Sequence, residues 1–272
     1  MIREPAVSGQ FYPSDTSKLR AMIEDYTPAT ENKMEALGVL SPHAGYVFSG
    51  PTAGEVFGRV RIPDTVVVLN PSHQVRRPAC ALWTGGPWKT PLGEVELDDS
   101  LCDALAEVPA ITPSNEPHQG EHAGEVVVPF LQYHNPDVKI CVICVTTSAG
   151  MAETQDLGKG INDALEQCEI NDGLVVASSD MSHERGSNAL GVVNEHDPMA
   201  IEKMEELDPE GLIDTCRRNR ITMCGVLPAA AMMESVKGRG GKTGELIDRT
   251  TSADSPQGAG NYVVGYAGMI FR

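Results

Sequence analysis

Gly38-Val39-Leu40-Ser41-Pro42-His43-Ala44-Gly45-Tyr46 is the stretch that decides the fold. An apolar run stops at Ser41-Pro42 and a histidine follows at once. Pro42 fixes its own φ and disfavours helix at Ser41, so the run is a strand that ends in a turn. Gly45 permits tight backbone geometry beside the imidazole. The pattern recurs twice. Thr65-Val66-Val67-Val68-Leu69 runs into Asn70-Pro71-Ser72-His73, and Leu174-Val175-Val176-Ala177 runs into Ser178-Ser179-Asp180-Met181-Ser182-His183. In open α/β sheets, ligands bind just beyond the carboxyl ends of the strands. Three such turns carrying histidine predict one site, and the donor types predict that it holds a metal.

The chain has 272 residues, enough for one large α/β domain with a full core and no need of disulfide or zinc staples. No internal repeat or domain boundary is visible, so residues 1–272 are taken as one domain. No apolar run approaches the roughly 20 residues of a membrane span, and Met1-Ile2-Arg3-Glu4-Pro5 lacks the apolar core of a secretory signal. The expectation is a cytoplasmic protein. Lys and Arg total 21 against 38 Asp and Glu, a formal charge of −17. This argues against nucleic-acid binding, which depends on basic patches. The acids are spread along the chain, as suits adaptation to a salty cytoplasm, and their field attracts cations. Seven scattered cysteines are not a secreted disulfide framework. Cys141 and Cys144 have C-x-x-C spacing, but an offset of three places them on opposite faces of a strand, where core packing is expected.

Along the chain, residues 3–13 read as an extended lead-in, and Ser14 caps a helix with Leu19, Met22, Ile23 and Tyr26 inward. A second helix is expected over Gly50–Val60, starting at Ser49-Gly50-Pro51. Trp83 to Gly93 is punctuated by Gly and Pro and reads as a loop or hairpin. Its two tryptophans either anchor that loop or wall a ligand pocket. A short helix covers Asp98–Glu107. Glu116-Pro117-His118-Gln119-Gly120-Glu121-His122-Ala123-Gly124-Glu125 packs two histidines and three carboxylates into ten residues. His118 and His122 would share a face if helical, although Gly120 and Gly124 weaken that helix. His122 is a candidate pocket residue. A helix over Glu153–Cys168 follows, then helices opened by Asp197-Pro198 and by Asp208-Pro209, each an N-cap before proline. Cys224 stands at or just before the start of an Ala- and Met-rich helix, where exposed N–H groups favour the thiolate, a nucleophile or metal ligand. Two final strands are expected over Thr243–Thr250 and Tyr262–Phe271.

Imidazoles, one carboxylate and one thiolate make a transition-metal set suited to iron, copper, zinc or nickel. The ligand spacing is long-range and carries no short zinc signature. Nothing resembles a P-loop or another nucleotide-binding fingerprint.

Read together, several pieces resemble the Memo family, also called AmmeMemoRadiSam system protein B. They are Arg3 to Pro13, Pro42-His43-Ala44-Gly45-Tyr46, Asn70-Pro71-Ser72-His73, Thr90-Pro91-Leu92-Gly93, Glu121-His122, Ser178-Ser179-Asp180 with His183, and Thr222-Met223-Cys224-Gly225. The likeness runs in order from near residue 3 to the C-terminus. It implies the fold of the class III extradiol ring-cleaving dioxygenases, a single α/β domain with a central mixed β-sheet flanked by helices. It also implies metal ligands at His43, His73 and Cys224, an acid–base histidine at His183, and pocket residues at Asp180 and His122. Where many members carry a second histidine after the Glu-His pair, this chain has Val126-Val127-Val128, which changes the pocket rim. A thiolate in place of the dioxygenases' glutamate changes metal preference, so ring cleavage is not inherited with the fold.

Three readings follow from the resemblance and the ligand set. One is an oxidoreductase holding non-haem iron(II) or copper and acting on a small molecule. Another is a non-catalytic metal-binding module that takes a peptide or a radical-SAM partner protein. The third is a zinc hydrolase.

Overall fold

The computed structural model describes residues 2–30 and 32–272. Helix α1 (Thr16–Tyr26) leads to β1 (Gly38–Ser41), α2 (Tyr46–Arg59) and β2 (Thr65–Pro71). Short strands β3 (Cys80–Leu82), β4 (Trp88–Thr90) and β5 (Gly93–Val95) precede α3 (Asp99–Ala106), β6 (Thr112–Pro113) and α4 (Ala123–His134). Then come β7 (Lys139–Val145), α5 (Met151–Gln167), β8 (Leu174–Ser178) and β9 (His183–Arg185). Helices α6 (Ala189–Glu205), α7 (Pro209–Asn219) and α8 (Val226–Gly238) and strands β10 (Gly244–Thr251) and β11 (Tyr262–Phe271) complete the chain.

One mixed sheet runs in the order β10-β11-β1-β8-β2-β7-β3-β6, with β9 also paired to β11. Its centre, β1-β8-β2-β7, is parallel. Strands β11 and β3 join that centre antiparallel on either side. Every residue of β1, β2 and β8 is buried, which is why these strands are continuous apolar runs rather than alternating ones. Helices cover the faces: α5 and α8 pack together, and α1 and α2 pack together. Gly54 allows the last contact, because a Cβ there would collide with the Tyr26 backbone. The expected mixed sheet flanked by helices is the one observed.

Several boundaries differ from expectation for local reasons. Asp15, not Ser14, caps α1, accepting from the Lys18 amide. Helix α2 begins at Tyr46 and carries Pro51 inside it. Proline has no N–H for the Val47 carbonyl one turn back, and that carbonyl instead accepts from the Ser255 hydroxyl at 2.8 Å. Asp197 opens no helix, since α6 runs from Ala189 through Pro198. Its carboxylate is fully buried and accepts from the Ser182 amide, a tertiary bond in place of a cap. Asp208 before Pro209 does cap α7, accepting from the Gly211 amide. The C-x-x-C cysteines face opposite ways: Cys141 meets Cys102, and Cys144 lies near the Pro117 carbonyl. Among the described residues, no helix is long and apolar enough to cross a membrane.

Candidate metal centre

Strands β1, β8 and β2 are parallel neighbours, so their carboxyl ends share one edge. His43 follows β1, His73 follows β2, and Asp180 and His183 follow β8. His122 arrives from another direction, as the residue just before α4. Cys224 lies in the turn before α8. Gly225 lets that turn press on β8: a Cβ there would stand 2.5 Å from both the Ser178 carbonyl oxygen and the Ser179 Cβ.

The three imidazoles of His43, His73 and His122 each offer a ring nitrogen, and these atoms lie within 4.8 Å of one another. The rings of His73 and His122 stack at 4.8 Å, and His43 meets each edge-on at 5.5 Å. Hydrogen bonds assign the tautomers. Ser178 donates its one hydroxyl proton to the Ala123 carbonyl, so it can only accept from His43 Nδ1, 2.8 Å away. His43 Nε2 is therefore bare. His73 Nδ1 donates to Glu121 Oε1 at 2.9 Å, and His122 Nδ1 lies 3.3 Å from the same oxygen. Carboxylate partners of this kind fix the orientation and raise the basicity of metal-binding imidazoles. Glu121 is itself held by the amides of His73, His122 and Ala123. Burial works to raise its pKa, but the His73 hydrogen bond and charge, together with these amides, win and bring it to about 2. His43 is held well below the ordinary imidazole range, first by burial and then by His122 and His73. His122 is also lowered, first by burial, whereas burial lowers His73 but the Glu121 hydrogen bond and charge win and raise it, so a divalent cation binding on the trio competes with a proton at His73.

Cys224 stands beside this trio, with Sγ 3.3 Å from His43 Nε2. It is not favoured as a thiolate in the metal-free protein, contrary to the helix-terminus expectation. Burial and the neighbouring Asp180 raise its pKa well above the ordinary value, outweighing the Gly225 amide. Asp180 Oδ1 accepts from the His43 and Ala44 amides at 2.8 and 3.2 Å, so it pins the turn that carries His43. Its Oδ2 lies 3.9 Å from His183 Nε2. His183 donates from Nδ1 to the Thr222 carbonyl at 3.2 Å, which leaves Nε2 bare for proton exchange in the neutral ring.

His118 does not share a face with His122. A 3-10 turn over Glu116–His118 ends before Gly120 at φ +75°, and His118 points inward between Trp83 and Trp88. Both tryptophans are buried anchors, and neither lines the cavity beside the imidazoles. That cavity, of about 350 Å³, is lined by His122, Asp180 and His183 together with Phe11, Phe48 and Tyr262. Phe11 meets the His122 ring at 4.9 Å. The lead-in that delivers Phe11 is latched by Glu125, which accepts from Arg3, the Ala6 and Val7 amides and the Tyr12 hydroxyl. Sequence reasoning gave no role to Ser178, Glu121 or Glu125. The acidic density around His122 pointed toward Glu121 and Glu125, and Glu121 and Ser178 stand in the motifs that carry the resemblance.

Comparison with known proteins agrees with this architecture. A MEMO1 family protein of Methanopyrus kandleri is 36% identical, covering all of this chain and 99% of the relative. Another from Aquifex aeolicus is 37% identical over 99% of both chains. The crystal structure of an uncharacterized Escherichia coli protein matches 86% of this chain and 98% of its own with a TM-score of 0.52. At 14% identity that likeness concerns the fold alone. The family model described as Memo-like protein matches residues 3–270, and the chain belongs to the Memo family.

Proposed function

We propose that this protein binds one divalent transition metal on His43, His73 and His122, with Cys224 at the side of His43, and acts as an oxidoreductase on a small molecule in the adjoining cavity. The observation that carries the reading is the tautomer pattern. His43 and His73 have Nδ1 committed to a second partner, His122 has Nδ1 beside Glu121, and the ring nitrogens gather within 4.8 Å. Such an arrangement gathers three ring nitrogens into one space, where a single cation can take all three as ligands. Iron(II) or copper bound there would supply electron exchange to a ligand at an open coordination position. The residues do the rest. Glu121 holds two rings in register, and Asp180 fixes the His43 backbone. His183 Nε2 takes a proton from the ligand and returns it, while its Nδ1–H stays on the Thr222 carbonyl.

Metal-free protein titrated anaerobically with iron(II) should take up one ion per chain. His43→Ala should lower that affinity by about 100-fold or more, and the iron-loaded parent should consume dioxygen with a suitable ligand. Parent-like iron binding in His43→Ala would overturn the ligand assignment. The all-imidazole trio also suits zinc with a bound hydroxide. Elemental analysis of protein purified without added metal, set against ester hydrolysis, separates that hydrolase reading from the redox one.

A further inference from the structure

We propose that Cys102 and Cys141 form a modification site, which a peroxide oxidises to an intramolecular disulfide that staples α3 to β7. Their sulfurs lie 2.9 Å apart, closer than the optimum of roughly 3.5–4.0 Å for non-bonded carbon atoms. A covalent bond of about 2.05 Å needs them to approach by only about 0.9 Å more. The backbone holds the two residues in this position. The Ile140 amide donates to the Glu96 carbonyl at 3.0 Å, and the Asp98 amide donates to the Ile140 carbonyl at 3.2 Å. The Cys102 amide donates in turn to the Asp98 carbonyl at 2.8 Å. Cys102 thus stands one turn beyond the pinned Asp98, and Cys141 stands beside the pinned Ile140. The pair is not half of a metal site. The Asp98 carboxylate beside it is already engaged, accepting from the Thr65 and Ser100 hydroxyls and the Leu101 amide.

Cys102 is 6% exposed and Cys141 0%, so Cys102 meets the oxidant first. Burial, and then the contact with Cys102, raise the Cys141 pKa well above its ordinary value, which makes Cys141 the second to react. Hydrogen peroxide is close to water in size and reaches thiols that bulkier reagents do not. The Cys102 sulfur attacks one peroxide oxygen, the O–O bond breaks, and the thiol proton leaves with the other oxygen as water. The Cys141 sulfur then attacks the sulfenic acid on Cys102. The S–S bond forms, the S–O bond breaks, and the Cys141 proton leaves in a second water. The two thiols lose two electrons and the peroxide gains them. The new bond links positions 39 apart in the chain, which restricts the unfolded chain and so stabilises the folded one.

The test treats the reduced full-length protein with a small excess of hydrogen peroxide and blocks the remaining thiols with iodoacetamide in guanidinium. Peptides from an acidic pepsin digest, in which disulfides exchange little, are then mapped by mass spectrometry without reductant. The expected product joins the Cys102 and Cys141 peptides at a mass two hydrogens below their sum. Cys168 is another thiol beside α3, with Sγ 3.5 Å from the Ser100 carbonyl, and Cys168→Ser should give the same link. Oxidation should raise Tm by about 5 °C or more in the parent and in Cys168→Ser. Cys102→Ala and Cys141→Ala should lack that gain, each measured against its own reduced form. Should either alanine variant fold poorly by circular dichroism, the peptide map and Tm of the parent decide alone. Cys102 recovered unmodified, as a sulfinic acid or joined to a different cysteine overturns the inference, and so does a Cys102–Cys141 link with no gain in Tm.

Discussion

Removing the Glu125 carboxylate should cost this protein more than any surface ion pair could. The Arg3 and Glu125 side chains are 4% and 1% exposed, and they meet at 2.8 Å. Glu125→Ala leaves the guanidinium buried against Trp88, 4.0 Å from its ring centroid, with no countercharge. It also strips an acceptor from the Tyr12 hydroxyl and the amides of Ala6 and Val7. Breaking a buried pair on one side costs about 3–5 kcal/mol. For a domain of this length that corresponds to a fall in Tm on the order of 10 °C. Tryptophan fluorescence in urea is the natural assay, because Trp88 lies under Arg3 and reports the latch. Replacing both partners with apolar residues, Arg3→Met with Glu125→Leu, should recover much of the loss, since no charge is then stranded. The decisive measurement is the double-mutant cycle with alanine at each position. If the two single losses add to within about 0.5 kcal/mol, the pair is not coupled and the latch argument fails.

Glu121→Gln keeps an acceptor for the surrounding amides but weakens the hold on His73 and His122, so metal affinity should fall by about 10–100-fold; unchanged affinity in a metal titration would refute that role. His118 is moved from its ordinary 6.5 to about 4, chiefly by burial. The unfolded chain therefore binds more protons between those values, and stability should drop as pH falls through that window, by up to about 3 kcal/mol. Urea melts of His118→Phe across the same pH range should show a flatter dependence. Five cysteines are buried, while Cys168 and Cys224 are partly exposed. A thiol reagent should modify at most those two in the native protein and the rest only in denaturant, and metal loading should protect Cys224.

The sheet was legible because its parallel centre is buried on both faces. That forces uninterrupted runs such as Val66-Val67-Val68-Leu69, and Pro42 and Pro71 mark where β1 and β2 end. Helix limits were less legible where a tertiary bond outbid a local one. Asp197 and Asp208 both precede proline, yet only Asp208 has its carboxylate free to accept from its own first turn. Asp197 is spent on Ser182, a residue of the turn between β8 and β9 that no local pattern connects to it. The proline inside α2 shows the same limit, since the Ser255 hydroxyl that serves the Val47 carbonyl lies 208 positions away.

The site divides in the same manner. His43, His73, Asp180 and His183 could be placed together because strand ends of a parallel sheet share an edge, which is a rule of topology rather than of contact. His122 and His118 come from one dense segment, and density carries no direction. Gly120, at φ +75°, separates a 3-10 turn from α4, so one imidazole faces the other two and its near neighbour turns to the tryptophans. Cys224 illustrates a competition of magnitudes. A helix N-terminus stabilises a thiolate by about 0.3–1 kcal/mol at an exposed position. Burying an unpaired charge costs several times more, and here burial wins, with Asp180 adding to it. On the proposed metal reading, the thiol would give up its proton only when a cation arrives to take the charge. Metal uptake would then release a proton, a link that the position of the thiol on a helix alone does not suggest.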